Sequence, residues 1–60
     1  MNKDVAHILV VDDDNRIREL VKEYLEEEKF LVNTAKDTNE ARKKMEIIKF
    51  DLLVLDIMMP

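Results

Sequence analysis

The sequence predicts an α/β fold built on a parallel sheet. Two short aliphatic runs, His7–Val11 and Asp51–Leu55, have the length and the near-continuous apolar character of strands buried on both faces. Between them the hydrophobic spacing changes to a helical period. After a loose polar start over residues 1–6, strand-like and helix-like segments alternate up to the third strand, the pattern of strands joined by helical crossovers.

The first strand, His7-Ile8-Leu9-Val10-Val11, stops abruptly at Asp12-Asp13-Asp14. A helix follows from Asn15. Ile17, Leu20, Val21, Tyr24 and Leu25 fall at i, i+3, i+4, i+7 and i+8, one apolar stripe, and charged residues fill the other faces. Asp13, Asp14 or Asn15 can cap its start, where negative charge suits the helix dipole. Phe30–Ala35 is the second strand, with Asn33 and Thr34 marking it as an edge. Asp37-Thr38-Asn39-Glu40 signals the next helix, with Asp37 or Thr38 as cap and Glu40 placed for a capping box. Ala41, Met45 and Ile48 form its narrow apolar stripe. The third strand, Asp51–Leu55, ends in Asp56.

Right-handed crossovers with the two helices on opposite faces put the first strand in the middle, giving order 2-1-3. The chain reverses direction of travel between strands one and three. Ligands of open α/β sheets bind in the crevice at such a switch point, beyond the carboxyl ends of the strands. Asp12, Asp13 and Asp56 lie at those two ends.

Composition narrows the possible functions. Sixty residues make at most one small domain, with roughly 4,100 Å² of folded surface by mass scaling against about 10,300 Å² unfolded. Cysteine is absent, which excludes disulfides and thiolate metal sites. Fourteen acids against ten bases argue against non-specific binding to nucleic acid, which needs a basic surface. There is no apolar run of membrane-spanning length and no signal-peptide start, so the expected location is the cytoplasm.

Three acids gathered at two neighbouring strand ends repel one another, and a hard divalent cation relieves that. Mg²⁺ suits a site of few carboxylates, several waters and phosphate oxygens. A carboxylate beside such a cation can attack phosphorus and form an acyl phosphate. The plainer alternative is that Asp12–Asp14 end a strand and cap a helix, with Asp56 a solvated strand end. His7 reads as an ordinary strand-end residue. Tyr24, Phe30 and Phe50 read as core, Met45, Met58 and Met59 as packing and loop residues, and Arg42-Lys43-Lys44 as a solvated helix face.

Ile8-Leu9-Val10-Val11-Asp12-Asp13-Asp14, then Ile17-Arg18-Glu19-Leu20, Thr34-Ala35 and Glu40-Ala41, and above all Phe50-Asp51-Leu52-Leu53-Val54-Leu55-Asp56-Ile57-Met58-Met59-Pro60, resemble the receiver domain of bacterial two-component response regulators. The wording is closest to regulators with a winged-helix DNA-binding output. The resemblance spans residues 7 to 60. It implies a β-α-β-α-β half of a doubly wound, flavodoxin-like sheet, and a single domain over 1–60 truncated after strand three. It implies Asp56 as phosphoacceptor, and Mg²⁺ held by Asp12, Asp13, Asp56 and the backbone carbonyl of Met58. It further implies a sensor histidine kinase as phosphodonor, and a phosphorelay module rather than an enzyme.

The departures from the family carry their own expectations. The hydroxyl residue that ends strand four, the lysine that ends strand five and the surface used for switching are not among these residues. Lys29 stands where the family commonly places a glycine after the first helix, so strain or a different turn is expected there. With nothing beyond strand three, its apolar edge is expected to pair, most simply in a two-fold homodimer. One rival is a haloacid-dehalogenase-type phosphohydrolase using Asp12 and Asp14, although Arg16 stands where such enzymes place Thr or Val. Another is an inert, self-associating fragment.

Overall fold

A computed structural model describes residues 5–56, the last of them by its backbone alone. The elements run β1 (His7–Asp12), α1 (Asn15–Glu27), β2 (Leu31–Ala35), α2 (Thr38–Ile47) and β3 (Leu52–Asp56). The three strands form one sheet in the order β2-β1-β3, parallel throughout. Expected and observed architecture agree. The boundaries shift slightly: Asp12 and Asp56 join the strands, while Phe30 and Asp51 stand outside them.

β1 is buried almost end to end because it has a strand on each side and a helix over each face. Ile8, Leu9, Val10 and Val11 are all buried, Leu9 completely. Alternation along the strand sends Leu9 and Val11 to one face, where they cluster with Ala35 of β2 and Ala41 of α2 while Phe50 packs against them. Ile8 and Val10 point to the other face. Right-handed crossovers place α1 there.

Each helix starts on the acid the sequence offers. Asp14 caps α1, its Oδ1 accepting from the amides of Arg16 (2.9 Å) and Ile17 (3.4 Å). Asp37 caps α2, its Oδ1 accepting from the Glu40 amide at 2.8 Å. Glu40 reaches back, but to the Lys36 amide rather than to that of the cap residue itself. α1 ends in a Schellman turn: the Phe30 amide donates to the Leu25 carbonyl and the Lys29 amide to the Glu26 carbonyl. That turn needs a left-handed residue, and Lys29 supplies it with φ of 74°. The strain expected at Lys29 is therefore present.

The α1 stripe needs correction. Ile17, Leu20 and Tyr24 are exposed, Leu20 by 67%, and only Val21 and Leu25 are half-buried. The reason lies in reach. Both helices lie close over β1 and β2, and neither brings a Cα within 8 Å of β3. The part of the stripe beyond those two strands has no floor beneath it. Tyr24 accordingly is not core. Met45 of α2 is likewise exposed, leaving Ala41 and Ile48 to do the packing. The accessible surface, 4948 Å², exceeds the roughly 4,100 Å² that mass scaling gives. The bare leucines of β3 contribute to that excess.

Candidate functional site

β1 and β3 pair in register, with Ile8 opposite Leu52 and, four residues later, Asp12 opposite Asp56. Paired positions of parallel strands lie about 4.8 Å apart and send their side chains to the same face. The backbone therefore sets residues 12 and 56 side by side at the carboxyl rim of the sheet. Asp13 follows at once and is exposed. The side chain of Asp56 and the whole of Met58 lie outside the described residues. Among the described residues, no three His, Cys, Asp or Glu side chains assemble into a metal-binding group.

The three consecutive acids have different surroundings. Asp12 is buried, and its Oδ1 accepts the Asp14 amide at 2.9 Å. Its backbone carbonyl accepts Nη1 of Arg18 at 2.8 Å. Asp14 is committed to the helix cap and makes a loose 3.8 Å ion pair with Arg16, too exposed to contribute much. Asp13 presents its carboxylate to solvent. One acid is thus fixed at the rim, one is free beside it and one is spent on the helix. This division of labour weighs against the Asp12/Asp14 phosphohydrolase pair, since Asp14 has a structural task.

The donor set suits a hard cation. Carboxylate oxygens at a strand end, one held by a backbone amide and one open to water, are what Mg²⁺ accepts while keeping most of its waters.

Sequence reasoning missed a second polar cluster, at the opposite rim. The His7 amide donates to Oδ2 of Asp51 at 2.8 Å, and the Asp51 amide donates back to the His7 carbonyl at 2.8 Å. The His7 Nε2 lies 3.0 Å from Nδ2 of Asn33, and its ring meets Phe50 edge-on. His7 thus links the start of β1 to the residue before β3 and to the middle of β2. The Asn33 that marked β2 as an edge was the only signal in the sequence.

Comparison with known proteins fits this geometry. The family model for the response regulator receiver domain matches residues 8–60. The chain is 43% identical over its full length to protein PetR of Rhodobacter capsulatus, and 50% identical to the alkaline phosphatase synthesis transcriptional regulatory protein PhoP of Bacillus subtilis. It spans about a quarter of each of those relatives, 25% and 24%. Among solved structures, Vibrio cholerae chemotaxis protein CheY4 superposes with a TM-score of 0.87 at 38% identity, over 93% of this chain and 47% of that one. Thermotoga maritima response regulator TrrA, solved in complex with Mg²⁺-BeF, gives 0.84 at 50% identity, over 93% of this chain and 49% of that one. With its strand order, its acidic rim and a family match over nearly its whole length, the chain belongs to the response regulator receiver domain family.

Proposed function

We propose that residues 1–60 are the N-terminal half of a receiver module that accepts a phosphoryl group on Asp56, with Mg²⁺ held by Asp12, Asp13, Asp56 and the Met58 carbonyl. The observation that carries this is the register of β1 against β3, which pairs Asp12 with Asp56 at the switch-point rim. The Mg²⁺ complex named for the TrrA neighbour supports the choice of cation. An oxygen of the Asp56 carboxylate attacks phosphorus, the bond from phosphorus to the donor's imidazole nitrogen breaks, and the leaving imidazole takes up a proton. Asp12, Asp13, Asp56 and the Met58 carbonyl would hold Mg²⁺, which would supply neutralisation of charge on the phosphoryl oxygens. Asp12 would contribute an anchored oxygen, and Asp13 an exposed one.

The donor we assign is a sensor histidine kinase of a two-component system. The parent protein we assign is a cytoplasmic transcription regulator, like the relatives whose names state that role. One relative, 42% identical over 58 residues, is a protein-glutamate methylesterase/protein-glutamine glutaminase of Bacillus subtilis, of which this chain spans 16%. We carry no catalytic activity of that kind to these residues. No helix among the described residues is long and apolar enough to cross a membrane, and we assign this chain no direct contact with nucleic acid. The β3 edge we assign to a two-fold homodimer. Antiparallel pairing centred on Val54 would set Leu53 against the partner's Leu55 and keep the two acidic rims at opposite ends.

Incubation with a small phosphodonor and Mg²⁺ tests the reading. The expected product is a mass increase of about 80 Da, one phosphoryl group, lost in Asp56→Asn and on removal of Mg²⁺. No adduct, under conditions where an intact receiver labels, would show an inert fragment and overturn phosphotransfer by this chain.

A further inference from the structure

Arg18 stands next to three aspartates yet pairs with none of them. Among the described residues the only ion pair is Arg16 with Asp14. The Arg18 guanidinium instead donates Nη1 to the backbone carbonyl of Asp12 and Nη2 to Oδ1 of Asn15. Asn15 and Arg18 are three apart on α1, so they share one face of its first turn. The amide of Arg18 donates to the Asp14 carbonyl at 2.9 Å. That last bond is the first of the helical main-chain series, and the side chain itself links the last position of β1 to the first position of α1.

We propose that Arg18 is a positioning residue for the acidic rim. It fixes the peptide that follows Asp12 and so holds the Asp12–Asp14 turn in one conformation, while its charge stays on neutral acceptors and leaves the carboxylates to a cation. The inference deepens the Mg²⁺ reading above and rests on it. The planar fork matters as well as the charge. A guanidinium spans two acceptors in fixed directions, and a lysine ammonium at the same place is a point charge on a flexible stem. Loss of the clamp frees the Asp12 carbonyl, and the hydrogen bond that the Asp14 amide donates to Asp12 Oδ1 loosens with it.

A purely electrostatic role predicts the opposite outcome for metal binding. A cation beside the site repels Mg²⁺, so removing it would tighten binding. The two roles therefore separate by sign.

The test compares the wild-type chain with Arg18→Met and Arg18→Lys, with two readouts: Mg²⁺ affinity by titration, and hydrogen exchange of the Asp14 amide without metal, with the buried Leu9 amide as internal control. Arg18→Met is expected to weaken Mg²⁺ binding about tenfold, as loss of an outer-shell partner does. Exchange at Asp14 is expected to rise about fivefold, the scale of one hydrogen bond, while Leu9 stays protected. Arg18→Lys is expected to follow Arg18→Met in direction. It also serves in its place if the methionine variant fails to fold. Mg²⁺ binding as tight as wild type or tighter in Arg18→Met, or unchanged Asp14 exchange in both variants, would overturn the proposal. A wild-type chain that binds no Mg²⁺ at millimolar concentration would sink the metal-site reading instead, and the exchange measurement alone would then decide the role of Arg18.

Discussion

The two flanks of β1 are built from unequal strands, and the less apolar one is better covered. On one side lies β2, Leu-Val-Asn-Thr-Ala, and both helices rest against it. On the other lies β3, Leu-Leu-Val-Leu-Asp, to which neither helix backbone comes as close. Thr34 is half-buried and Ala35 fully buried, whereas Leu52, Leu53 and Leu55 are all exposed. A strand's composition thus records the surroundings it is suited to, and its burial records what is packed on it. The β2 flank is covered except at Leu31, and among the described residues the β3 flank is covered only in part, at Val54.

One pair of identical residues isolates the contrast. Leu9 and Leu53 are register partners on the same face of the sheet, one fully buried and one 38% exposed. Leu9→Ala should cost about 3 kcal/mol by transfer and cavity terms, enough to unfold a domain of this size. Leu53→Ala should cost about 1 kcal/mol, because much of its surface is already in water. Urea denaturation at low protein concentration measures both. Equal costs would mean that β3 is covered in solution and that the two flanks do not differ.

Association tests the same surface from outside. Sedimentation equilibrium should detect a dimer at micromolar concentration, and Leu55→Lys should weaken it about tenfold or more by placing a charge in the contact. Leu55 is half exposed in the single chain, so the variant should leave its fold intact. A well-folded wild-type monomer at that concentration would remove the dimer and leave the β3 flank as a bare face.

The contrast also explains what the sequence could disclose. β1 was legible because a continuous β-branched run has few other uses, and its burial from Ile8 to Val11 follows from lying between two strands. Asp37 and Glu40 were legible because caps act within one turn of chain. The positive φ at Lys29 was expected only through the resemblance, which places a glycine there. The stripe of α1 misled, because periodicity identifies an apolar face without saying how much of it is met. Whether Leu20 is covered depends on the width of the sheet below it, a tertiary fact. At the rim, the spacing to Asp12 and Asp56 followed from topology. That Asp14 takes the cap among the three candidates, and that Arg18 clamps the turn, came only with coordinates, since both rest on atoms that a residue alphabet does not place.

The same inside-outside contrast recurs among the adjacent acids. Asp14→Ala removes two amide acceptors from the start of α1 and should cost about 1 kcal/mol. Asp13→Asn removes an exposed charge beside two others and should raise the melting temperature slightly without metal. The same change should abolish stabilisation by millimolar Mg²⁺, which in the wild type follows from a ligand that binds only the folded state. A clear loss from Asp13→Asn in metal-free buffer would make Asp13 a structural residue and take it out of the metal site.

The smallest effect expected is at the hinge between α1 and the covered flank. The Schellman turn closes through the Phe30 and Lys29 amides and needs a residue with positive φ, a conformation that costs a side-chain-bearing residue about 1–2 kcal/mol. Lys29→Gly removes that cost but adds freedom to the unfolded chain, so the net gain should be about 0.5 kcal/mol. Lys29→Ala keeps the β-carbon and gains nothing. Thermal denaturation of the two variants side by side isolates the backbone term, because both lose the same charge. If alanine stabilises as much as glycine, the strain at residue 29 is absent in solution, and the charge beside Glu26, Glu27 and Glu28 is what matters there.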